Sequence, residues 1–318
     1  MKKHILEGAH MNTYMSKKFL SIIGCLAVMM VTFIIAGCSD NNPVTAVLDN
    51  KPTVANQLRQ LRPYMDAANT FNTYSTKNAT MIQPTMDQLR SGGHNSTIVL
   101  PPYADLQTAL KAAQSEGSSG SKEVDEATTN VLTILQGMVP VSKEFEDYYK
   151  NQTFTKDNYM GSDSLAAKLI PMEEKFTVAY NTLDLAITNY HKELNDTRVK
   201  DFQADSKANA VKFIQINMLM SETIDMINPD GTTDVKKVEA NLKQITNSVN
   251  TLEQGTTTAT QKAVKEYQDA VRQFITAAQS YITVNSTFLE AYNQLFDIYN
   301  ATMNKADAVN MDELDKTK

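Results

Sequence analysis

The chain has 318 residues, 42% apolar and 21% charged, enough to bury a core and too apolar for a disordered segment. Its 11 Gly and 9 Pro fall well below typical usage of about 7% and 5%, which argues against the turn-rich sandwiches, barrels and propellers. A formal net charge of −6 gives no basic surface for nucleic acid, and 2 Cys, 4 His and no Trp exclude zinc ribbons, iron–sulfur ligation and a disulfide scaffold.

Lys17 and Lys18 stand directly before an uncharged apolar stretch, residues 19–37. A basic segment followed by an apolar one is the pattern of a secretion signal. The stretch ends in Ile35-Ala36-Gly37-Cys38, which resembles the bacterial lipobox. That resemblance implies cleavage after Gly37 with Ile35 and Ala36 in the recognition positions. It also implies a diacylglyceryl group on the Cys38 thiol and acylation, such as by palmitate, of the new amino terminus. The competing reading is a plain membrane-spanning anchor, because about 20 apolar residues suffice to cross a bilayer. Either reading puts the rest of the chain outside the cytoplasm. Residues 1–37 are thus expected to be a signal peptide and 38–54 a lipidated tether. Met15 fits the signal pattern better than Met1 as the true start. Ser39 after the Cys resembles the outer-membrane class, facing the periplasm, if the host has two membranes. Lys2, Lys3, Lys17, Lys18 and Glu7 leave with the signal, so the mature chain is more acidic than −6, and Cys38 is its only cysteine.

Residues 55–318 carry helical periodicity almost throughout and predict a helical extracytoplasmic domain. Leu58, Leu61, Met65, Ala68 and Phe71 begin it, with breaks expected at Pro63 and Pro84, and Ser91-Gly92-Gly93 closes that segment. Residues 94–102 read as a loop with a short β-prone patch, after which Pro102 suits the first position of a helix. Residues 117–121, a Gly/Ser run, read as a flexible surface loop. Val124 to Tyr148 is helical again, with Pro140 as a bend. Leu165, Leu169, Met172, Phe176, Ala179, Leu183, Ala186 and Tyr190 step by four and three, a bundle seam with Pro171 inside it. Residues 205–227 are apolar nearly all round, as in a buried central helix. Asn228-Pro229-Asp230-Gly231 ends that helix, Asp234 caps the next, and Gly255 stops it. Thr256 to Thr258 offer caps for one last long helix, with a seam from Val264 through Tyr281, Asn285 and Phe288 to Tyr299. The fold class predicted is all-α: an elongated bundle of six or so helices in one domain behind a lipoprotein signal.

Glu144-Phe145-Glu146-Asp147-Tyr148-Tyr149-Lys150, then Tyr159, then Ala179-Tyr180-Asn181-Thr182-Leu183 and a run of helices resemble the YiiG-like lipoproteins grouped as DUF3829. Their pattern combines an aromatic pair, a short loop with an Asp, and long helices with apolar and Tyr positions, behind a lipobox. The resemblance covers most of residues 55–305. It implies an all-helical extracytoplasmic domain and supplies no catalytic residues.

Chemistry-bearing residues are sparse. His191 has Ile187, Thr188, Leu194 and Asn195 as its helical neighbours, which make no ligand pair, so a surface histidine is expected. His94 stands in a loop without partners. The methionines read as core packing rather than copper ligands, Asn285 as a register-setting polar residue, and Glu144, Glu146 and Asp147 as a solvated helix face. The triplet Asn78-Ala79-Thr80 matches a glycosylation acceptor by chance. No Walker loop, dinucleotide fingerprint, nucleophile elbow or HExxH occurs. Catalytic, metal and cofactor sites are therefore entered as none, and an enzyme is the least expected class. The reading is a membrane-anchored protein that binds or scaffolds at the cell envelope, with an envelope protein as possible partner. The alternatives are a small-ligand-binding module with a pocket lined by Tyr and Met, or an envelope enzyme. A pocket holding His191 or paired carboxylates would favour the enzyme.

Overall fold

The computed structural model describes residues 53–228, 232–284 and 289–316, with Leu289 by its backbone alone. The signal, the lipobox with Cys38, the tether, the Pro229-Asp230-Gly231 turn and Asn285 lie outside the described residues. Among those described there are ten α-helices and no strand, so the chain is an all-α multi-helix bundle. In chain order they are α1 (Val54–Lys77), α2 (Ala79–Ser91), α3 (Tyr103–Glu116), α4 (Lys122–Lys150), α5 (Phe154–Asp157), α6 (Met160–Ala204), α7 (Ala208–Met226), α8 (Val235–Asn250), α9 (Thr258–Thr283) and α10 (Leu289–Ala306). A 3₁₀ turn, Met311–Glu313, follows.

Four prolines lie inside helices rather than between them: Pro63 in α1, Pro84 in α2, Pro140 in α4 and Pro171 in α6. An interior proline costs about 3 kcal/mol through its missing N–H. The buried residues on both sides of each one, such as Leu61 with Tyr64 and Leu169 with Phe176, outweigh that cost. The expected breaks at Pro63 and Pro84 are thus corrected: the chain breaks at Asn78 instead. The expected single final helix is two helices, α9 and α10, the second packed back against the first. Asp234 does cap α8, accepting from the Lys237 N–H, and Thr257 caps α9, accepting from Thr260. Helix α8 ends at Asn250, five residues before Gly255, whose φ of +72° serves the following turn.

The chain divides into two compact units. The first comprises Asp66–Glu116 and Lys122–Ala186. Its core is an aromatic cluster in which the Phe71 ring lies 4.9 Å from Tyr180 and 5.7 Å from Phe176, with Tyr103 5.2 Å from Phe176. Beside it Arg90 pairs with Glu173 at 2.6 Å. The Tyr180 hydroxyl donates to Asn72 Oδ1 at 2.7 Å, and Asn72 Nδ2 donates to the Asp184 carboxyl at 3.4 Å, all three residues being buried. Burial pushes Asp184 up to about 7.

The second unit comprises 53–65, 117–121 and 187–316 of the described residues. Helices α7, α8, α9 and α10 pack in a closed cycle, each against the next and α10 against α7. Each consecutive pair is antiparallel, as shown by Lys212 Nζ donating to the Thr251 carbonyl, Gln268 Nε2 to the Val249 carbonyl, and Thr302 Oγ1 to the Ala270 carbonyl. This is an up-down-up-down four-helix bundle. Val264, Tyr267, Val271, Phe274, Ala278 and Tyr281 of the predicted seam are all buried. The segment 117–121 is a loop with Gly117, Ser118 and Gly120 exposed, and it is tied down by the buried Ser119 and Ser121 and by Tyr64, which donates to the Gly117 carbonyl at 2.6 Å. Gly120 has φ +85°, and a Cβ there would meet the Tyr190 hydroxyl at 2.9 Å. Gly120→Ala should therefore lower the unfolding free energy by about 1–3 kcal/mol, read by urea denaturation; an unchanged midpoint would contradict this packing.

Candidate functional site

Two places gather the chemistry-bearing residues. The first lies in the first unit, where α4 ends and α6 begins. Tyr148 and Tyr149 are consecutive, so their side chains diverge around the helix and reach different partners. The Tyr148 hydroxyl donates to Asp157 Oδ1 at 2.6 Å, while Tyr149 shares a hydrogen bond with Ser162 at 2.9 Å. Asp157 also accepts from the N–H of Tyr159 at 3.1 Å and of Gly161 at 3.0 Å. These donors, the tyrosine first, hold its carboxyl below the usual range. Desolvation, then the Asp157 bond, pushes Tyr148 up to about 12. The aromatic pair and the Asp of the short loop are thus one structural clasp. It holds Asn158 and Tyr159 at φ +49° and +67°, a left-handed turn that non-glycine residues seldom adopt.

Tyr159 in that turn stacks on Phe154 at 5.0 Å and on His94 at 4.4 Å. His94 has a partner after all, with Nε2 2.8 Å from Asp163 Oδ1. The group ties the loop after α2 to the start of α6 and stands at the surface. A Cβ on Gly161 would lie 2.5 Å from the Tyr148 ring, which the Asp157 bond prevents from swinging aside. Gly161→Ala is expected to cost about 2–3 kcal/mol, with restoration of part of the loss by the double variant Gly161→Ala/Tyr148→Ala in a denaturation cycle.

The second place is a cavity of about 140 Å³ inside the second unit. Its position follows from helix periodicity. A three-residue connection folds α7 back along the end of α6, and each helix gives one stripe to the cavity. From α6 come Thr188, His191, Asn195 and Arg198, spaced by three, four and three. From α7 come Asn217, Ser221 and Asp225, spaced by four. Leu58, Ile214, Met218 and Met303 supply the apolar surface, and the exposed Lys192 and Glu222 stand at the edge. On α6 the seam predicted through Ala186 and Tyr190 has rotated: both are half-buried, while Ile187 and Leu194 are buried. A straight helix turns once in 3.6 residues, so a 3.5-residue seam drifts round it by roughly 20° per heptad. That drift brings His191 and Asn195 inward.

His191 is accordingly half-buried on a cavity wall, which corrects the expected surface histidine. Asn195 Nδ2 donates to the imidazole, 3.0 Å from Nε2. Desolvation, then the Arg198 charge, pushes His191 down to about 3, so the ring is neutral at pH 7. Arg198 reaches Met311 Sδ at 3.7 Å and lies 5.8 Å from the Phe202 ring centre. Asn217 is held by Tyr267, whose hydroxyl donates to its Oδ1 at 3.0 Å, and donates to the Phe213 carbonyl at 2.8 Å. The charge of Asp225 raises Tyr292 and Tyr299, both already raised by burial.

Apart from His191, the polar lining was missed in the sequence. A signal existed: polar residues at helical spacing inside two otherwise apolar stretches. Of the methionines, Met218 and Met303 line the cavity and Met220 is core, while no tyrosine lines it. Glu144, Glu146 and Asp147 are exposed, as expected of a solvated face. Among the described residues, no group of three or more His, Cys, Asp or Glu could hold a metal ion, and no helix is long and apolar enough to cross a membrane.

No curated protein and no solved structure matches the chain. The family described as "Protein of unknown function (DUF3829)" matches residues 55–308, which take in both units, the tyrosine–aspartate clasp and the cavity. The chain belongs to the DUF3829 family.

Proposed function

We propose that the chain is a lipid-anchored, extracytoplasmic protein of YiiG-like type that binds a small ligand in the cavity of its second unit. The cavity carries this reading: an apolar floor with a few convergent polar groups is how small-molecule sites are built. The lipobox-like Ile35-Ala36-Gly37-Cys38 supports the anchor. Binding is favoured over catalysis, although the cavity holds His191 and carboxylates. A general base works best near the operating pH, and an imidazole that protonates only near pH 3 is a weak proton acceptor.

Thermal denaturation of the full chain tests the reading. A small-molecule fraction from the host envelope that contains the ligand at about 100 times its Kd adds about 2.7 kcal/mol to stability. The gain should vanish in Ser221→Phe, whose ring fills the cavity. A gain that persists in Ser221→Phe, or none from any fraction, would count against it. The scaffolding alternative rests on Val178 and Leu185, exposed at 69% and 57% two turns apart on α6.

A further inference from the structure

We infer that the cavity takes a single uncharged aromatic ring bearing one hydroxyl, a phenol in class, with the hydroxyl donating to Asn195 Oδ1 and the ring lying against Met218 and Met303. The inference rests on the small-ligand reading and adds the ligand's chemistry.

Volume sets the size. At about 140 Å³ the cavity is close to the roughly 150 Å³ that encloses one benzene ring. A second fused ring would not be enclosed.

Charge narrows the class. Lys192, Arg198, Glu222 and Asp225 all belong to the lining. Arg198 and Asp225 are each engaged within the fold, and Lys192 Nζ stands 3.4 Å from Asp196. Glu222 is exposed at the edge, where water solvates it. His191 is neutral at pH 7. A charged ligand would leave water without gaining a counter-charge of its own, a cost that an uncharged one avoids.

One polar group asks for a donor. Asn195 lines the cavity and is only 8% exposed. Its Nδ2 is spent on the His191 imidazole, 3.0 Å from Nε2. Its Oδ1 accepts no hydrogen bond among the described residues, although a carboxamide oxygen has two lone pairs to offer. Asn217, by contrast, is satisfied at both ends by Tyr267 and Phe213. A hydroxyl on the ligand supplies Asn195 with a donor and brings no charge. The apolar wall then selects the ring. Leu58, Ile214 and Met303 are buried, and Met303 and Met218 present thioethers, which attract aromatic rings more than saturated ones.

Isothermal titration of the full chain in detergent tests this, with the titration into detergent alone subtracted. The probes are phenol, toluene, cyclohexanol, benzoate and benzylammonium. Phenol is expected to bind. Toluene lacks the hydroxyl and cyclohexanol the aromatic ring, so each should bind about fivefold more weakly. Benzoate and benzylammonium should bind on the order of a hundredfold more weakly. Asn195→Leu should make phenol and toluene equal. The comparison of probes on the wild type stands even if that variant fails to fold. Any of the other four probes binding as tightly as phenol would overturn the inference and leave the small-ligand reading intact. Binding of no probe would overturn it too, and an envelope fraction that stabilises the wild type but not Ser221→Phe would then still uphold the small-ligand reading.

Discussion

Cys38→Ala is expected to carry no acyl label and to accumulate as the longer, uncleaved chain, whereas the wild type is labelled, shortened and held in the membrane fraction. The effect is all-or-none because one atom carries it: the thiol sulfur at position 38 is the only acceptor after the apolar stretch. Two or more acyl chains hold a protein stably at a bilayer, whereas one gives marginal binding. The variant stays at the membrane by another route, since residues 19–37 remain attached and are about as long as a span requires. Fractionation alone therefore cannot separate the readings. Label and chain length can, and an unlabelled wild type of the same length as the variant would mean a plain spanning anchor.

The second large effect is a pair of opposite pH dependences. His191 titrates at about 3 in the folded chain against 6.5 unfolded, so between these values the unfolded state binds the extra proton. Its contribution to stability is present above pH 6.5 and is lost as pH falls toward 3. Asp184 titrates at about 7 folded against 3.8 unfolded, so in that window the folded state keeps the extra proton. Its contribution is present below pH 3.8 and is lost as pH rises toward 7. Each slope is about 1.4 kcal/mol per pH unit, and the signs oppose. From pH 4.5 to 6 the two nearly cancel in the wild type. His191→Gln should leave a chain whose unfolding free energy, relative to wild type, falls with rising pH. Asp184→Asn should leave one whose relative stability rises. Urea denaturation across that range reads both; parallel curves for the three chains would contradict the assigned burial of both groups.

Much of the fold was legible because seams of apolar residues at helical spacing bury on one side wherever they occur. The sequence-level seam from Val264 to Tyr281 is the buried face of α9, and Asp234 and Thr257 cap as their side chains allow. What failed shares one cause: local signals outvoted by tertiary burial. Proline is a local helix breaker, yet Pro63, Pro84, Pro140 and Pro171 are all carried inside helices whose flanks are anchored in cores. The Gly/Ser run at 117–121 reads as a linker by composition, but Gly120 lets the backbone pass close to Tyr190 and Gln60. The break between α9 and α10 was hidden because its flanking residues kept the seam's rhythm.

The candidate site was legible in parts only. His191 was weighed against neighbours three and four residues away, the correct test for a metal pair on one helix. Its surroundings combine Asn195, one of those neighbours, at 3.0 Å with Arg198, seven residues on, and with α7 across the cavity. The α7 wall is the part that no spacing on α6 reveals. The Tyr148-Tyr149 pair and Tyr159 did stand out in the sequence, and the structure adds Asp157, which was not singled out, to make of them a clasp around a left-handed turn.

Native mass spectrometry of the full chain, extracted from host envelopes without a chromatographic wash, tests the central claim most directly. The account predicts a small molecule carried by the wild type and absent from Ser221→Phe at equal helicity. A wild type that carries nothing, or the same molecule retained in Ser221→Phe, would contradict it.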